Sequence, residues 1–423
     1  MRLDNHGYSP RALRLVVLLA ARLGSFADAA FALTQTGLPI SAQHVRTLAG
    51  QVGAELVQQR DQQAARGRSK TAVHVAATPE VVAIEVDGGR LRTRAAAAGP
   101  GVHEAQNKED KIACLVTLTS AVHAADPQPQ PPPSFLLPRR VERLVQQMAG
   151  QAGDGAATPA AAAGTLEKQA DPPSDPQATA EDPWAPRQRV RTCVASMANS
   201  TAFGRMVAVE AKQRDFYRAP RKAFVADGAA YNWKLQERPF ASFVPIADFL
   251  HVLCYVYRAA WTLAADEAGR WQQYVAWLRA CWQGRVAEVI EQLRGWQGQV
   301  GLPPPGEELA ATDPRRALAE ALSYFEHNAA RMKYPEYRRQ GLPTTSSLVE
   351  SLVGQVNARV KSKQKYWNRG AGAEAILQLR AAVLSEDGRL DRYLSERPGS
   401  PYRRRQKPGE RTAPAKAATL QTR

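Results

Sequence analysis

Two apolar runs in this chain break on the same pair of residues. VVAIEVDG, from Val81, and KAFVADG, from Lys222, each read as a buried strand and then end at Asp-Gly. A strand buried on both faces needs helices on either side, so the runs call for an α/β architecture. The acids that close them, Asp87 and Asp227, would project from a rigid sheet edge, where a substrate or a cation can reach them. Asp-Gly is equally a common turn pair, which leaves each acid a second reading as a turn residue.

Around these runs the pattern divides the chain. Residues 1–75 are helical: YSPRALRLVVLLAARL, SFADAAFALTQ, a break at TGLPI, and SAQHVRTLAGQVGAEL with Ser41 as its cap. Short helices around a Gly-containing turn fit a helix-turn-helix, with Gln43, His44 and Arg46 in the first turn of the helix that would enter a major groove. Small helical bundles share the pattern. Residues 76–123 read as a strand, a tight turn at Asp87-Gly88-Gly89, a second strand RLRTR, and a third, KIACLVTLTSAV. Residues 124–187 hold 12 of the 29 prolines and read as a flexible linker, interrupted by a short helix at RRVERLVQQMAG. In 188–250, RVRTCVASMANSTAFGRMVAVEAKQR reads as helix, followed by strand, helix and strand. Residues 251–335 read as all helix and carry five of the eight tryptophans at core-like spacing, a stripe suited to packing or to stacking on bases. Residues 336–398 hold two late helices, and 399–423 form a basic tail.

The chain carries 56 Lys and Arg against 40 Asp and Glu, a net charge of +16, which favours a polyanion or an anionic membrane surface. No apolar run reaches the roughly 18 residues of a membrane span. A cytosolic, DNA-binding protein is expected. The four cysteines form no C-x-x-C pair and no metal-ligand spacing with the histidines, so reduced, structural thiols are expected.

One late stretch, LPTTSSLVESLVGQVNARVKSKQKYWNRG, has a single acid, Glu350, ahead of five bases: Arg359, Lys361, Lys363, Lys365 and Arg369. Glu350 fits a first-turn residue that complements a helix dipole. It also fits a metal ligand, since three acids from separate elements can hold two divalent cations about 4 Å apart. On that second reading the five bases grip a phosphate backbone and Trp367 stacks on a base; on the first they are a solvated face and Trp367 packs. Asp248 and His251, three apart at a helix start, share one face. Asp248 reads as an N-cap or a fourth carboxylate, and His251 as a phosphate contact.

In order and spacing, VDGGRLRTR, FVADGAAYNW with IADFLHVLCYVYRAA, and YFEHNAARMKYPEYRRQGLPTTSSLVES running into YWNRGAGAEAILQLRA resemble bacterial insertion-sequence transposases of the DDE type. The resemblance covers most of the chain. It implies a ribonuclease-H-like core, a mixed sheet with flanking helices, interrupted by an all-helical insertion and preceded by the helix-turn-helix. It further implies Asp87, Asp227 and Glu350 as catalytic acids holding two Mg²⁺ or Mn²⁺ ions. The partners implied are double-stranded DNA at the element's ends and target, with a homodimer on paired ends and no membrane, in the bacterial cytoplasm at the nucleoid. A catalytically inactive DNA-binding regulator derived from such an enzyme is the competing expectation, and a nuclease without joining activity a third. Thr345, Ser346 and Ser347 stand where the family often has Gly-Ser-Gly.

Overall fold

The computed structural model describes residues 8–67, 78–94, 106–152, 184–263, 266–310, 312–361, 367 and 370–397. Three helices come first: α1 (Pro10–Arg22), α2 (Phe26–Gln35) and α3 (Ala42–Arg66). Each starts on a serine. The hydroxyls of Ser9, Ser25 and Ser41 accept from the N–H groups of Ala12, Asp28 and His44, satisfying one orphan donor per helix.

The sheet follows, with five strands in the order β3-β2-β1-β4-β5. They are β1 (Val81–Thr93), β2 (Gln106–Thr119), β3 (Arg187–Ser196), β4 (Arg221–Ala226) and β5 (Val244–Ala247). β1–β2 and β2–β3 are antiparallel, whereas β1–β4 and β4–β5 are parallel. The protein is thus mixed α/β with one mixed sheet. The two opening runs are adjacent parallel strands, and nearly every residue in their apolar stretches is fully buried.

Two sequence expectations fail here. DGG is not a turn: β1 runs straight through it, pairing Asp87 with Ile112, Gly88 with Lys111 and Gly89 with Asp110, so RLRTR is the far half of the same strand. Neither glycine takes a positive φ, and the backbone stays extended because β2 offers a ladder along its whole length. RVRTCVAS is not helix but β3, and Asn199 then caps α5 (Ser200–Gln213). The apolar residues of β3 and α5 run together across SMANS, so the sequence pattern alone resembles one helix.

The remaining helices are α4 (Pro138–Ala152), α6 (Ala230–Glu237), α7 (Phe249–Trp261), α8 (Glu267–Trp282), α9 (Val286–Val300), α10 (Pro314–Asn328), α11 (Tyr334–Arg339), α12 (Ser347–Val360), α13 (Gly370–Leu384) and α14 (Arg389–Glu396). None described is long and apolar enough to cross a membrane. The four cysteines are buried thiols.

The first part of the Pro-rich segment is folded rather than a free linker. Val141 and Val145 of α4 are buried, and Phe135 lies against Phe249 and Trp282. Residues 153–183 lie outside the described residues. Trp277 and Trp282 are fully buried, so these tryptophans of the helical region are core. Trp282 meets Phe249 at 4.8 Å edge-on, and the Arg338 guanidinium covers its face at 4.2 Å. Arg338 is itself fully buried and donates to Asp126 at 2.8 and 2.5 Å and to the Trp282 carbonyl at 3.0 Å. The segment around Asp126 is thereby clamped to α8 and α11.

Replacing a buried arginine strands its carboxylate and opens a cavity over the indole. Arg338→Ala is therefore expected to destabilise the protein by about 3 kcal/mol, read from chemical denaturation, with faster proteolysis of the 124–152 segment.

Candidate functional site

The sheet register creates the site. Val86 pairs with Ala226, and Ala226 with Ala247, so β1, β4 and β5 run in step to one edge. The next residue on each is an acid: Asp87, Asp227 and Asp248. Neighbouring strands lie about 4.8 Å apart, which sets these three carboxylates side by side. Asp87 is not at the end of its own strand. It sits where β4 stops and β1 continues with β2 alone.

Each acid is held differently. The Gly88 N–H donates to Asp87 Oδ1 at 2.7 Å. Asp227 Oδ1 accepts from the Ala229 N–H at 2.9 Å and from Asn232 Nδ2 at 2.8 Å. Gly228 turns away with φ 99°, and a Cβ there would meet Tyr324 Cε2 at 2.5 Å, so the glycine after Asp227 is required by both conformation and space. Asp248 is fully buried and caps α7: Oδ1 accepts from the Leu250 N–H at 3.2 Å and from the Ser346 N–H at 2.8 Å. The cap reading holds. His251 Nε2 lies 3.8 Å from Asp248 Oδ2, with its side chain half-buried.

Glu350 enters on α12, in the helix's first turn. The start of α12 is fixed by two acids of the sheet, Asp248 through the Ser346 N–H and Glu85 through the Val349 N–H at 2.9 Å. The backbone of residue 350 is thus docked beside the edge that carries Asp87 and Asp227; its side chain lies outside the described residues. Among the described residues no three acids, histidines or cysteines form a metal-binding group.

Two acids were missed in the sequence. Glu85 precedes Asp87 by two residues, and the period of a strand puts both on one face. A lone charge inside VVAIEVD was the visible signal. Asp110 lies opposite Gly89 on β2, in the polar stretch QNKEDK, which gives no hint of a buried strand. Glu85 and Asp110 are both fully buried. Burial pushes Glu85 up to about 8, with Asp248's charge adding to it and the Val349 N–H opposing. Burial raises Asp87 to about 6; His251 opposes this and Asp227 adds to it. Asp110 is likewise raised to about 6 by burial, against the pull of Lys361.

The other candidates separate cleanly. Gln43 and Arg46 are exposed on the first turn of α3, while His44 is half-buried beside Tyr8, ring centroids 5.6 Å apart. Arg359 is a correction. It is buried, its guanidinium lies 4.4 Å from the Phe26 ring, and its Nε donates to the Ala20 carbonyl at 2.7 Å, so it caps the C-terminus of α1 rather than facing DNA. Arg380 does the same for the Ala21 carbonyl at 2.6 Å. Trp367 packs: its Nε1 donates to the Val360 carbonyl at 2.9 Å, and its backbone bridges to Thr93. Lys361 is half-buried at the end of α12; Lys363, Lys365 and Arg369 lie outside the described residues.

No protein-family model and no curated protein matches the chain. Among solved structures, a Drosophila P element transposase strand transfer complex aligns over 90% of this chain and 94% of that one, at 7% identity and a TM-score of 0.35. A likeness at that level carries no argument about either fold or activity.

Two outcomes follow from the site's electrostatics. The folded protein keeps protons on Glu85, Asp87 and Asp110 where the unfolded chain, with ordinary values of 4.5 and 3.8, has released them. These groups therefore make stability fall as pH rises from about 4 to about 8. In chelator, Glu85→Gln, which keeps an acceptor for the Val349 N–H, is expected to flatten that fall and to raise the melting temperature relative to wild type at pH 8; a parallel profile would refute it. Arg359→Met is expected to lower stability by about 2 kcal/mol while leaving the salt dependence of any DNA affinity unchanged.

Proposed function

We propose that the protein is a DNA transposase of the DDE type, built on a ribonuclease-H-like core, that cuts and joins DNA at Asp87, Asp227 and Glu350. The observation that carries this reading is the in-register edge: acids follow Val86, Ala226 and Ala247 on three adjacent parallel strands, and the helix bearing Glu350 is hydrogen-bonded to that edge. The 3-2-1-4-5 strand order, antiparallel on one side and parallel on the other, supports the same core. α7 to α10 are then the helical insertion, and α10 braces the Asp227 turn through Tyr324 and through Asn328, which accepts from Trp233 Nε1 at 2.8 Å.

The donor set is all hard oxygen, and Asp87 and Asp227 stand one strand spacing apart, which fits Mg²⁺ or Mn²⁺. Such cations, when bound, activate the attacking oxygen and stabilise the leaving one in an in-line displacement. The chain's own contribution is positioning. Ala229 and Asn232 fix one oxygen of Asp227, Gly88 fixes one of Asp87, and His251 stands beside them to meet a phosphate. Lys361, with Lys363, Lys365 and Arg369, supplies positive charge after the acid-bearing helix. α1 to α3 form the helix-turn-helix that reads the element's ends through Gln43 and Arg46, with His44 alongside. The net charge of +16 suits a duplex partner, and two ends joined together suit a homodimer.

The test is strand transfer on duplexes carrying the flanking element ends, with Mg²⁺ or Mn²⁺. Asp87→Asn, Asp227→Asn and Glu350→Gln are each expected to lower joining by at least about 10³-fold while end binding persists. Wild type that binds the ends but neither cuts nor joins them would instead mark a DNA-binding regulator.

A further inference from the structure

Helices α5 and α6 leave between them a groove of about 460 Å³. Each wall is one helix face: Thr201 and Arg205 lie four apart on α5, while Tyr231, Lys234 and Leu235 share a face of α6, with Arg238 following as its C-cap. The two helices meet closely. A Cβ built on Gly204 would lie 2.4 Å from Leu235 Cδ1, so the glycine admits buried Leu235 as the floor. Arg205, Lys234 and Arg238 are exposed, and none of the three makes a hydrogen bond or an ion pair among the described residues. Arg214, Arg221, Arg338 and Arg389, by contrast, are each bound to oxygens elsewhere in the fold. No acid lines the groove among the described residues.

The groove is built onto the acidic edge. α6 starts from the Asp227 turn, where the Asp227 carboxylate accepts from the Ala229 N–H and from Asn232 Nδ2, so the helix that carries Tyr231 and Lys234 is anchored on that acid. Tyr231 lines the groove and also reaches the residue after Asp87: a Cβ built on Gly88 would lie 3.8 Å from its hydroxyl. Three like charges with no counter-charge, set along one concave surface, focus a positive potential and suit a partner that carries repeated anions. Two of the three are arginines, whose planar fork matches phosphate oxygens. A chain of phosphates running off the acids meets these charges next.

We propose that the α5–α6 groove holds the phosphodiester backbone of duplex DNA on one side of the phosphate presented to the acids, with Arg205, Lys234 and Arg238 as its phosphate contacts and Tyr231 at the boundary between groove and acids. The proposal rests on the strand-transfer reading for the phosphate at the acids, and adds a grip on the neighbouring ones. That grip is indifferent to sequence, because contacts to phosphate position a duplex without reading its bases.

The test uses the full-length protein in chelator, so that binding is read without cutting. Affinity for a duplex lacking the element ends is measured against salt for wild type and for the triple variant Arg205→Gln, Lys234→Gln, Arg238→Gln. Each phosphate contact contributes about 0.9 to the slope of log affinity on log salt, so the triple variant is expected to lose about 2.7 of it. A control with Arg139→Gln, Arg140→Gln and Arg279→Gln, three exposed arginines of α4 and α8, has the same net charge and is expected to keep the wild-type slope. All six side chains are exposed, and melting checks that both variants are native. An unchanged slope in the groove variant, an equal fall in the control, or a wild type that does not bind the duplex overturns the groove. Position is read separately. The native cysteines are buried, so an iron chelate attached to Thr201→Cys reports from this groove, and it is expected to cut the backbone of the bound duplex; no cutting overturns the proposal. Joining of element ends in Mg²⁺ separates the two readings. Wild type that shows both groove signals yet neither cuts nor joins leaves the groove standing and strand transfer refuted; wild type that joins, with a wild-type slope in the groove variant, does the reverse.

Discussion

The in-step pairing of β1, β4 and β5 is the constraint on which the rest depends. Side chains at matched positions of a parallel sheet share a face, so a shift of one residue would turn an acid to the opposite side. The apolar runs favour that register: Ala83, Ile84, Val86, Phe224, Val225, Ala226, Ile246 and Ala247 are all buried in it. The strands also differ in length. Because β4 and β5 end at the acids and β1 does not, Asp87 has a neighbour on one side and continuing sheet on the other, which is where Gly89 and Asp110 lie.

Gathering acids on a dry surface carries an electrostatic penalty, and the fold meets part of it with backbone N–H groups. The orphan donors at the start of α12 go to Asp248 and Glu85, and the positive end of the helix dipole faces the same acids. The helix is held in place by the carboxyl oxygens that accept from its first N–H groups. Ser346 contributes its N–H to this contact. The Thr345-Ser346-Ser347 turn thereby delivers the helix to the sheet edge.

Much of this was legible in the sequence, for a physical reason in each case. The two buried apolar runs, the Ser41 cap and the packing of the tryptophan stripe are local signals, and the structure shows β1 and β4, a capped α3, and Trp277 and Trp282 in the core. What the sequence hid was set by partners distant in the chain. DGG stays extended only because β2 is there to pair with it. Arg359 turns inward because the last carbonyls of α1 lack donors, although its neighbours in sequence look like a solvated basic face. Asp110 is buried by strand pairing and by α12, and nothing in QNKEDK reports either. Asp126 and Arg338 find each other across the Pro-rich stretch, whose composition alone suggested a free linker.

The same long-range contacts join the two ends of the molecule. α12 is bound at its start to Glu85 and Asp248, and at its end Arg359 grips the last turn of α1, with Arg380 of α13 gripping the adjacent carbonyl. Hydrogen bonds from a charged donor to carbonyls that have no other partner are among the stronger ones available, and breaking them leaves a guanidinium stranded in the core. α1 therefore cannot shift against α12 without that penalty, and α12 cannot shift without releasing Glu85 and Asp248. The N-terminal helices are thus hydrogen-bonded to the end of the helix that carries residue 350, and the start of that helix to the acidic edge.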